Sequence, residues 1–205
     1  MSVKVKICGL ANEKDVCEAA ACEPDYLGFI FWPGSKRYVS PEDVGCWTRG
    51  LQGGAMKVGV FVDAPAKEIN RTAEIAGLDL IQLHGSETPG LIDDLNLPAW
   101  KVIHLDRNQI EDVTKFNADA LIVDSYTQDM PGGTGKVVDW NLARSFVRSA
   151  HRSVLLAGGL SPLNVEDAIR QVKPWGVDVC SGVEQSPGKK DLGQVREFIE
   201  VSRRL

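Results

Sequence analysis

Two side chains that can transfer protons each stand at the end of a short apolar run in this 205-residue sequence. Cys8 ends the run 3–8 and is followed by a glycine, and Asp124 ends the run 120–124. A thiol has an ordinary pKa of about 8.5, so modest local help makes it a base near neutral pH. A carboxyl group can serve as the partner acid. The two residues are therefore a candidate acid/base pair, provided that the fold brings the two run ends together.

Two glycine-containing segments near the end of the chain are typical of an anion site. Gly158 and Gly159 follow one apolar run, and Ser181 and Gly182 follow the next. Glycines allow backbone N–H groups to approach an anion closely. The spacing of Ser181 and Glu184 also matches a capping box, which would start a short helix. Because both halves occur together, we predict that these segments bind a phosphate rather than only forming tight turns.

Four other polar residues lie at or near run ends, and their roles are less sharply defined. Arg37 is either a solvated loop charge or a clamp for a carboxylate. We expect Gln82 to contact the ligand, whereas His84 either contacts it or satisfies polar groups nearby. Asp178 is either a buried partner of the site or an acceptor for a sugar hydroxyl, and the pattern does not choose between them.

The segment 130–136 is rich in glycine and separates Asp124 from the next predicted helix. It lacks the first glycine of a P-loop and the Ser or Thr that must follow the lysine. A mobile lid, or a loop on the phosphate side of the site, is the better interpretation.

The composition excludes several classes of protein. A net charge of -5 argues against a nucleic-acid surface, and no apolar run approaches the length that spans a bilayer. The N-terminus enters a strand pattern directly, so no signal peptide is expected. Five cysteines without C-x-x-C spacing, and three histidines without H-E-x-x-H, argue against disulfides and metal sites. We therefore expect a cytoplasmic protein that binds no metal.

The other cysteines are expected to have structural roles. Cys17, Cys22 and Cys46 fall in predicted helices and are interpreted as packing residues, and Cys180 is expected to face the core. Cys8 could also be a buried packing cysteine, which is common for a free thiol. Its place at a strand end beside a glycine favours chemistry instead.

Eight short apolar runs predict eight β-strands, separated by helix signals. The runs cover residues 3–8, 26–31, 57–62, 79–84, 100–104, 120–124, 153–157 and 176–180. Helix starts are indicated at Asn12, Ser40-Pro41, Ala64-Pro65, Asp139 and Ser161-Pro162, and a last helix includes residues 192–199. The signals after the fourth and fifth runs are weak.

The alternation of strands and helices implies parallel pairing, and uniformly apolar runs imply strands covered on both faces. We predict an α/β fold, a single-domain (β/α)8 TIM barrel with eight parallel strands over residues 1–205. A doubly wound open sheet is the alternative. In such a barrel the active site lies at the carboxyl ends of the strands, which is where the candidate residues stand.

A series of short motifs extends along essentially the whole chain. They are Lys6-Ile7-Cys8-Gly9-Leu10, Gly28-Phe29-Ile30-Phe31, Ser35-Lys36-Arg37-Tyr38-Val39, Val58-Gly59-Val60-Phe61, Ile81-Gln82-Leu83-His84-Gly85, Pro131-Gly132-Gly133-Thr134-Gly135, Leu156-Ala157-Gly158-Gly159-Leu160, Val177-Asp178-Val179 and Ser181-Gly182-Val183-Glu184. In this order and at these spacings, the chain resembles the phosphoribosylanthranilate isomerase family of tryptophan biosynthesis.

The resemblance implies a cofactor-free α/β barrel that rearranges N-(5-phosphoribosyl)anthranilate into 1-(2-carboxyphenylamino)-1-deoxyribulose 5-phosphate. It implies that Asp124 is the general acid that opens the furanose ring and that Cys8 is the general base that removes the C2′ proton. Arg37 would hold the anthranilate carboxylate. The phosphate would be held by Gly158, Gly159, Ser181 and Gly182. The resemblance allows a monomer or a homodimer.

Three other functions remain in competition. A related histidine-pathway isomerase uses an aspartate as the strand-one base, so Cys8 argues against it. Indole-glycerol-phosphate synthase would need a lysine acid at a strand end, whereas Lys57 and Lys101 lie at strand starts. A barrel that only binds a phosphorylated ligand would need neither Cys8 nor Asp124.

Overall fold

Eight parallel strands close into a barrel in the computed structural model, which describes residues 2–51, 53–105, 113–124 and 138–204. The strands follow the order of the chain, and β8 pairs with β1. Their bounds are Lys4–Ile7 (β1), Tyr26–Ile30 (β2), Met56–Phe61 (β3), Leu80–Leu83 (β4), Ala99–His104 (β5), Ala120–Asp124 (β6), Ser153–Leu156 (β7) and Gly176–Val179 (β8). The predicted TIM barrel is confirmed, and the open sheet is wrong because β1 and β8 are joined.

Helices on the outside of the barrel begin largely where the capping residues indicated. They are Glu13–Ala20 (α1), Pro41–Trp47 (α2), Ala66–Ala76 (α3), Trp140–Ser149 (α4), Val165–Val172 (α5) and Leu192–Ser202 (α6). The side chains of Asn12, Ser40 and Asp139 each accept a backbone N–H from the first turn of the helix that follows. Such caps satisfy donors that the helix itself leaves unpaired.

Two connections differ from the expectation. Helix α5 begins at Val165 and not at Ser161, because the Asn164 side chain forms hydrogen bonds that hold the preceding turn in a non-helical conformation. Its side chain accepts from Ser161 N at 2.8 Å and donates to the carbonyl of Gly159 at 2.9 Å. After β4 the chain forms a 3₁₀ helix, Pro89–Asp94, where the helix signal was weak.

A short antiparallel hairpin follows β8 and was not predicted. It consists of Glu184–Ser186 (β9) and Lys189–Lys190 (β10). Its turn contains Pro187 and Gly188, and Gly188 has a φ of 83°. A Pro-Gly pair is a recognised turn signal that the sequence analysis did not use.

The strands separate two layers of side chains, as the period of two requires. Odd-numbered residues such as Val5 and Ile7 of β1 pack in the large apolar layer that includes the helices. The alternate residues of the strands, Tyr26, Val58 and Leu80 among them, form a second cluster inside the barrel. Within a strand, side chains two residues away from a member of this inner cluster therefore also face the barrel interior.

Aromatic rings fill the interior near the amino ends of the strands. Tyr26 packs edge-on against Trp100, with ring centroids 4.8 Å apart, and Trp175 contacts both rings. The interior is therefore a packed core at this end, which leaves the opposite end for a site. No helix in the described ranges is long and apolar enough to cross a membrane.

Candidate active site

The structure brings the predicted acid and base to the same end of the barrel. Cys8 directly follows β1 and Asp124 is the last residue of β6, and both are buried with exposed fractions of 6%. Gln82 of β4 and Asp178 of β8 share the inner-face parity and are also buried. Four of the predicted residues thus converge on the carboxyl-end interior of the barrel.

A buried ion pair joins β1 to β8 beside Cys8. Lys6 Nζ lies 3.1 and 3.0 Å from the two carboxylate oxygens of Asp178, and the lysine is fully buried. The two residues are register partners in adjacent strands. Burial lowers the pKa of Lys6, but the Asp178 carboxylate and Cys8 outweigh it, so the pKa is raised overall. The lysine is therefore a fixed cation in the interior.

The Cys8 thiol lies in surroundings that favour its ionised form. A hydrogen bond from Cys180 and the charge of Lys6 lower the pKa of Cys8 to about 7, against the opposing effects of burial and Asp178. Gly28 of β2 makes room for this arrangement. A Cβ there would lie 2.8 Å from Cys8 Sγ and 3.1 Å from Lys6 Nζ. A large fraction of the thiol is thus thiolate at neutral pH, as a general base requires.

Cys180 is the neighbour of Cys8 in the β1–β8 ladder, and the other cysteines lie elsewhere. The bond to Cys8 and burial raise the pKa of Cys180 well above its usual value, so Cys180 keeps its proton. The expectation that Cys17 and Cys46 are packing residues is wrong, because both lie on exposed faces of their helices. Cys22 is half-buried and follows α1 rather than belonging to it.

Asp124 lies next to a neutral histidine. His84 Nε2 is 3.5 Å from Asp124 Oδ2, and the His84 and His104 rings are 5.6 Å apart. Burial, with the charges of His104, Lys6 and Lys101, lowers the pKa of His84 to about 3. The imidazole is therefore uncharged at pH 7. An uncharged imidazole adds no positive charge beside the Asp124 carboxyl group.

Gln82 has one side-chain atom ready for a ligand. Its Nε2 atom lies 3.4 Å from His84 Nδ1. Its Oε1 atom is buried and has no hydrogen-bond partner among the residues that the structure describes. A buried polar atom without a partner carries a free-energy penalty that a bound ligand can remove. This geometry is consistent with the predicted contact.

Arg37 is a partly buried residue that forms an ion pair with Glu184 rather than a solvated loop charge. Its Nε and Nη2 atoms donate to Glu184 at 2.8 and 2.7 Å, and Lys190 Nζ lies 3.0 Å from the same carboxylate. Hydrogen bonding to Glu184 raises the pKa of Arg37, so its charge is permanent. Although burial raises the pKa of Glu184, Arg37 and Lys190 lower it overall. This pair orients one edge of the guanidinium and leaves the Nη1 edge facing away from Glu184.

The capping box predicted from Ser181 and Glu184 does not form. Ser181–Val183 is a 3₁₀ helix that begins after Cys180 without a side-chain cap, and Glu184 follows its last residue. The Glu184 carboxylate binds Arg37 and Lys190 instead. The two charged partners outcompete a backbone N–H for the same oxygens.

The two predicted phosphate segments are in contact. Gly182 approaches the carbonyl oxygen of Leu160 so closely that a Cβ would collide with it. Gly158 and Gly159 have φ values of 82° and 67°, which favour glycine. The loops that follow β7 and β8 therefore form one surface, with half-buried backbone at Gly158, Gly159, Ser181 and Gly182.

Three residues of the site were missed in the sequence analysis. Lys6 precedes Cys8 by two residues and so must share its face, and a charge inside an apolar strand was the available signal. The sequence pattern assigns Glu184 to a helix cap and gives no signal for Lys190. Nothing local relates either of them to Arg37, which lies 147 residues from Glu184 in the chain.

Two predictions concern residues or ligands that the geometry does not test. The glycine-rich segment 130–136 lies outside the described residues. In the described part of the chain, no group of three or more His, Cys, Asp or Glu side chains is arranged to hold a metal ion. Cys8 and Asp124 supply a thiolate and a carboxyl group that can exchange protons with a ligand.

Comparison with known proteins identifies the sequence family. The family model of N-(5'phosphoribosyl)anthranilate (PRA) isomerase matches residues 5–201. A relative named N-(5'-phosphoribosyl)anthranilate isomerase, from Pelobacter propionicus, is 39% identical over 202 residues, which cover 98% of this chain and 96% of the relative. Another relative of the same name, from Magnetococcus marinus, is 40% identical over 205 residues, which cover 100% of this chain and 97% of the relative.

Solved structures agree with this result. The phosphoribosyl anthranilate isomerase of Thermotoga maritima is 34% identical with a TM-score of 0.89, covering 99% of this chain and 100% of that one. An isomerase in complex with reduced 1-(o-carboxyphenylamino)-1-deoxyribulose 5-phosphate is 33% identical with a TM-score of 0.86, over 99% and 100% of the two chains. The isomerase prediction is confirmed, and the chain belongs to the N-(5'-phosphoribosyl)anthranilate isomerase family of aldose–ketose isomerases.

Proposed function

We propose that this chain catalyses the Amadori rearrangement of N-(5-phosphoribosyl)anthranilate in tryptophan biosynthesis, with Asp124 as general acid and Cys8 as general base. The observation that carries the assignment of roles is the placement of a readily ionised thiol and a carboxyl group in one barrel mouth. Each lies on the inner face at the carboxyl end of its strand. The complex of a family member with a reduced form of the product supports the class of substrate.

The acid step acts on the furanose ring. The Asp124 carboxyl group gives its proton to the ring oxygen as the bond between that oxygen and C1′ breaks. The anthranilate nitrogen supplies the electron pair, and a Schiff base forms at C1′. His84 is uncharged and lies 3.5 Å from Asp124. His84 thus adds no positive charge beside the carboxyl group that donates the proton in this step.

The base step acts on C2′ of the opened sugar. The Cys8 thiolate removes the C2′ proton, which the positive Schiff base has made acidic, and an enolamine forms. The enolamine then tautomerises to the ketone. Lys6 and Cys180 stabilise the thiolate before this step, and Asp178 neutralises Lys6 and fixes its direction. Lys6 and Asp178 are thus positioning residues for the base.

Three contacts hold the substrate in this proposal. The Nη1 edge of Arg37 binds the anthranilate carboxylate, with the other edge fixed by Glu184. The joined loops containing Gly158, Gly159, Ser181 and Gly182 bind the phosphate. Gln82 Oε1, buried without a partner in the described chain, accepts from a sugar hydroxyl. Binding the two charged ends orients the sugar between the acid and the base.

The test is turnover followed by fluorescence. The substrate is generated in place from anthranilate and phosphoribosyl pyrophosphate, and its decay is recorded with wild-type protein, Cys8→Ala and Asp124→Asn. We expect fast decay with wild type, and a rate about 10²–10⁴-fold lower in each variant. Near-normal decay with either variant would remove that residue from the mechanism. No decay with wild type would contradict the proposed substrate.

Location and assembly belong to the same proposal. The five cysteines are free thiols in the structure, which supports a reducing compartment such as the cytoplasm. The Thermotoga maritima relative is described as a dimeric isomerase, which supports a homodimer over the monomer that the family also allows. Sedimentation of the purified chain distinguishes the two states.

A further inference from the structure

The closure of the barrel places two thiols side by side. Ile7 and Val179 are register partners of β1 and β8, and Cys8 N donates to the Val179 carbonyl at 2.8 Å. Cys8 and Cys180 are therefore the next pair of residues along the same ladder. Cys8 and Cys180 each lie two residues beyond Lys6 and Asp178, which are themselves register partners, so both side chains are on the inner face of the barrel.

This geometry fits the requirements of a disulfide. Adjacent strands lie about 4.8 Å apart, which is inside the Cα separation of about 4.4–6.8 Å that a disulfide spans. Cys180 Sγ extends towards the start of the loop after β1, because a Cβ on Gly9 would lie 2.7 Å from that sulfur. The ladder register therefore places the two cysteines within the separation that a disulfide can span.

We propose that Cys8 and Cys180 form a redox-active thiol pair that a hydroperoxide converts into a reversible intramolecular disulfide. Cys8 is the attacking residue because Lys6 stabilises its thiolate, and the thiolate is the reactive form. Cys180 is the resolving residue because the pairing of β1 with β8 places it beside Cys8. A peroxide reaches the pair by the barrel mouth that the substrate uses.

The reaction balances with hydrogen peroxide as the only oxidant. Cys8 Sγ attacks one peroxide oxygen, the O–O bond breaks, and a sulfenic acid and hydroxide result. Cys180 Sγ then attacks the Cys8 sulfur, the S–O bond breaks, and the oxygen leaves as water with the proton of the Cys180 thiol. The hydroxide takes up the proton that Cys8 had released earlier. Two thiols are oxidised to one disulfide, and one peroxide is reduced to two waters.

The consequence for activity rests on the proposed role of Cys8 as the base. A disulfide removes the thiolate and joins the ends of β1 and β8 across the floor of the site. The rate should then fall by about 10²–10⁴-fold, as for any loss of a general base. A dithiol reductant should restore it completely. Oxidation of a lone cysteine beyond the sulfenic acid would not be reversed in this way.

The experiment treats the reduced full-length chain with hydrogen peroxide, removes the oxidant and measures turnover, free thiols and disulfide-linked peptides. We expect loss of two of the five thiols, a linked peptide pair containing Cys8 and Cys180, and full recovery in dithiothreitol. Absence of the linked pair, or a link from Cys8 to another cysteine, would overturn the proposal.

Two matched variants identify the pair. Cys180→Ser removes the resolving thiol and keeps a small polar side chain, and each protein is compared with its own reduced activity. We expect peroxide to inactivate this variant without recovery in dithiothreitol, because the sulfenic acid of Cys8 is oxidised further. Cys17→Ser, on an exposed helix face, should behave like wild type. If Cys180→Ser fails to fold, Cys180→Ala takes its place.

One outcome separates this proposal from the proposed function. If the linked Cys8–Cys180 peptide forms and the oxidised protein still turns over as fast as the dithiol form, the pair exists but Cys8 is not the base. If turnover falls and recovers but mapping shows no linked pair, Cys8 keeps its proposed role and the pairing with Cys180 is wrong.

Discussion

At the amino end of the barrel, aspartates bind the backbone of a neighbouring strand, whereas at the carboxyl end they face side chains in the interior. Asp25, Asp79 and Asp119 directly precede β2, β4 and β6, and each accepts the N–H of a residue in β1, β3 or β5 at 2.8 to 2.9 Å. At the other end, Asp124 Oδ2 lies 3.5 Å from His84 Nε2, and Asp178 forms an ion pair with Lys6.

The difference follows from what each end leaves unsatisfied. At the start of a strand, a backbone N–H without a ladder partner must find another acceptor, and a preceding aspartate supplies one. At the carboxyl end, buried polar groups such as Gln82 and Asp124 line the interior among the described residues and can face a ligand. One residue type therefore serves stability at one end and chemistry at the other, as is general for this fold.

The largest expected effect comes from the general acid. Asp124→Asn keeps the shape of the side chain and removes its proton, so kcat should fall by about 10²–10⁴-fold. Asp25→Asn is the matched control at the amino end and should leave kcat unchanged. A normal kcat for Asp124→Asn, or an equal loss in both variants, would break the distinction between the two ends.

The next effect concerns the lysine that supports the base. Lys6→Gln leaves the Asp178 carboxylate buried without its cation, so it should cost about 3–5 kcal/mol of unfolding free energy. It should also raise the pKa of Cys8. For each pKa unit of that rise, the fraction of Cys8 present as thiolate falls about tenfold at a pH below the pKa. The pH profile of kcat/KM shows the shift of the acidic limb.

The activity of Lys6→Gln should recover at high pH, where Cys8 ionises without the help of the lysine. This recovery distinguishes support of the base from a purely structural role. A variant that had lost only stability would show a lower rate with the same pH profile. If Lys6→Gln does not fold, Lys6→Met combined with Asp178→Leu removes both charges and should restore stability without restoring the low pKa of Cys8.

The wild-type profile should show a smaller effect of the same group. The pKa of Cys8 is lowered to about 7, so the thiolate is present above pH 7 and is lost as pH falls through that value. We expect kcat/KM to drop about fivefold between pH 7 and pH 6. A profile that stays flat to pH 5 would show that Cys8 does not titrate in the rate-determining form of the free enzyme.

The smallest effect on activity, with a measurable effect on stability, is expected at the amino end. Asp25 accepts from Val5 N and from Lys4 Nζ at 2.9 and 2.7 Å, and its hydrogen bond raises the pKa of Lys4. Asp25→Asn keeps an acceptor and loses the charge, so unfolding free energy should fall by about 1 kcal/mol. Urea denaturation measures the loss. A fall in kcat would contradict a purely structural role.

Strand bounds could be predicted to within one residue because each strand is a short, largely apolar run bounded by turn or helix signals. The start of α5 could not, since the side chain of Asn164 holds the preceding turn out of the helix. The Ser181–Glu184 spacing does match a capping box, but contacts with residues distant in the sequence prevent the box from forming. Arg37 and Lys190 bind the Glu184 carboxylate more strongly than a backbone N–H does.

The sequence by itself determined which residues could do chemistry and which face they occupy. Side chains alternate between the two faces of a strand, so Lys6 and Cys8 must lie on the same side of β1. The position of Asp124 at the end of β6 places it at the mouth of the barrel. Only the closure of β8 on β1 decided that Asp178, 172 residues from Lys6, would pair with it and that Cys180 would meet Cys8. Side-chain parity is a property of the local backbone, whereas a neighbour across a parallel ladder depends on the path of the whole chain.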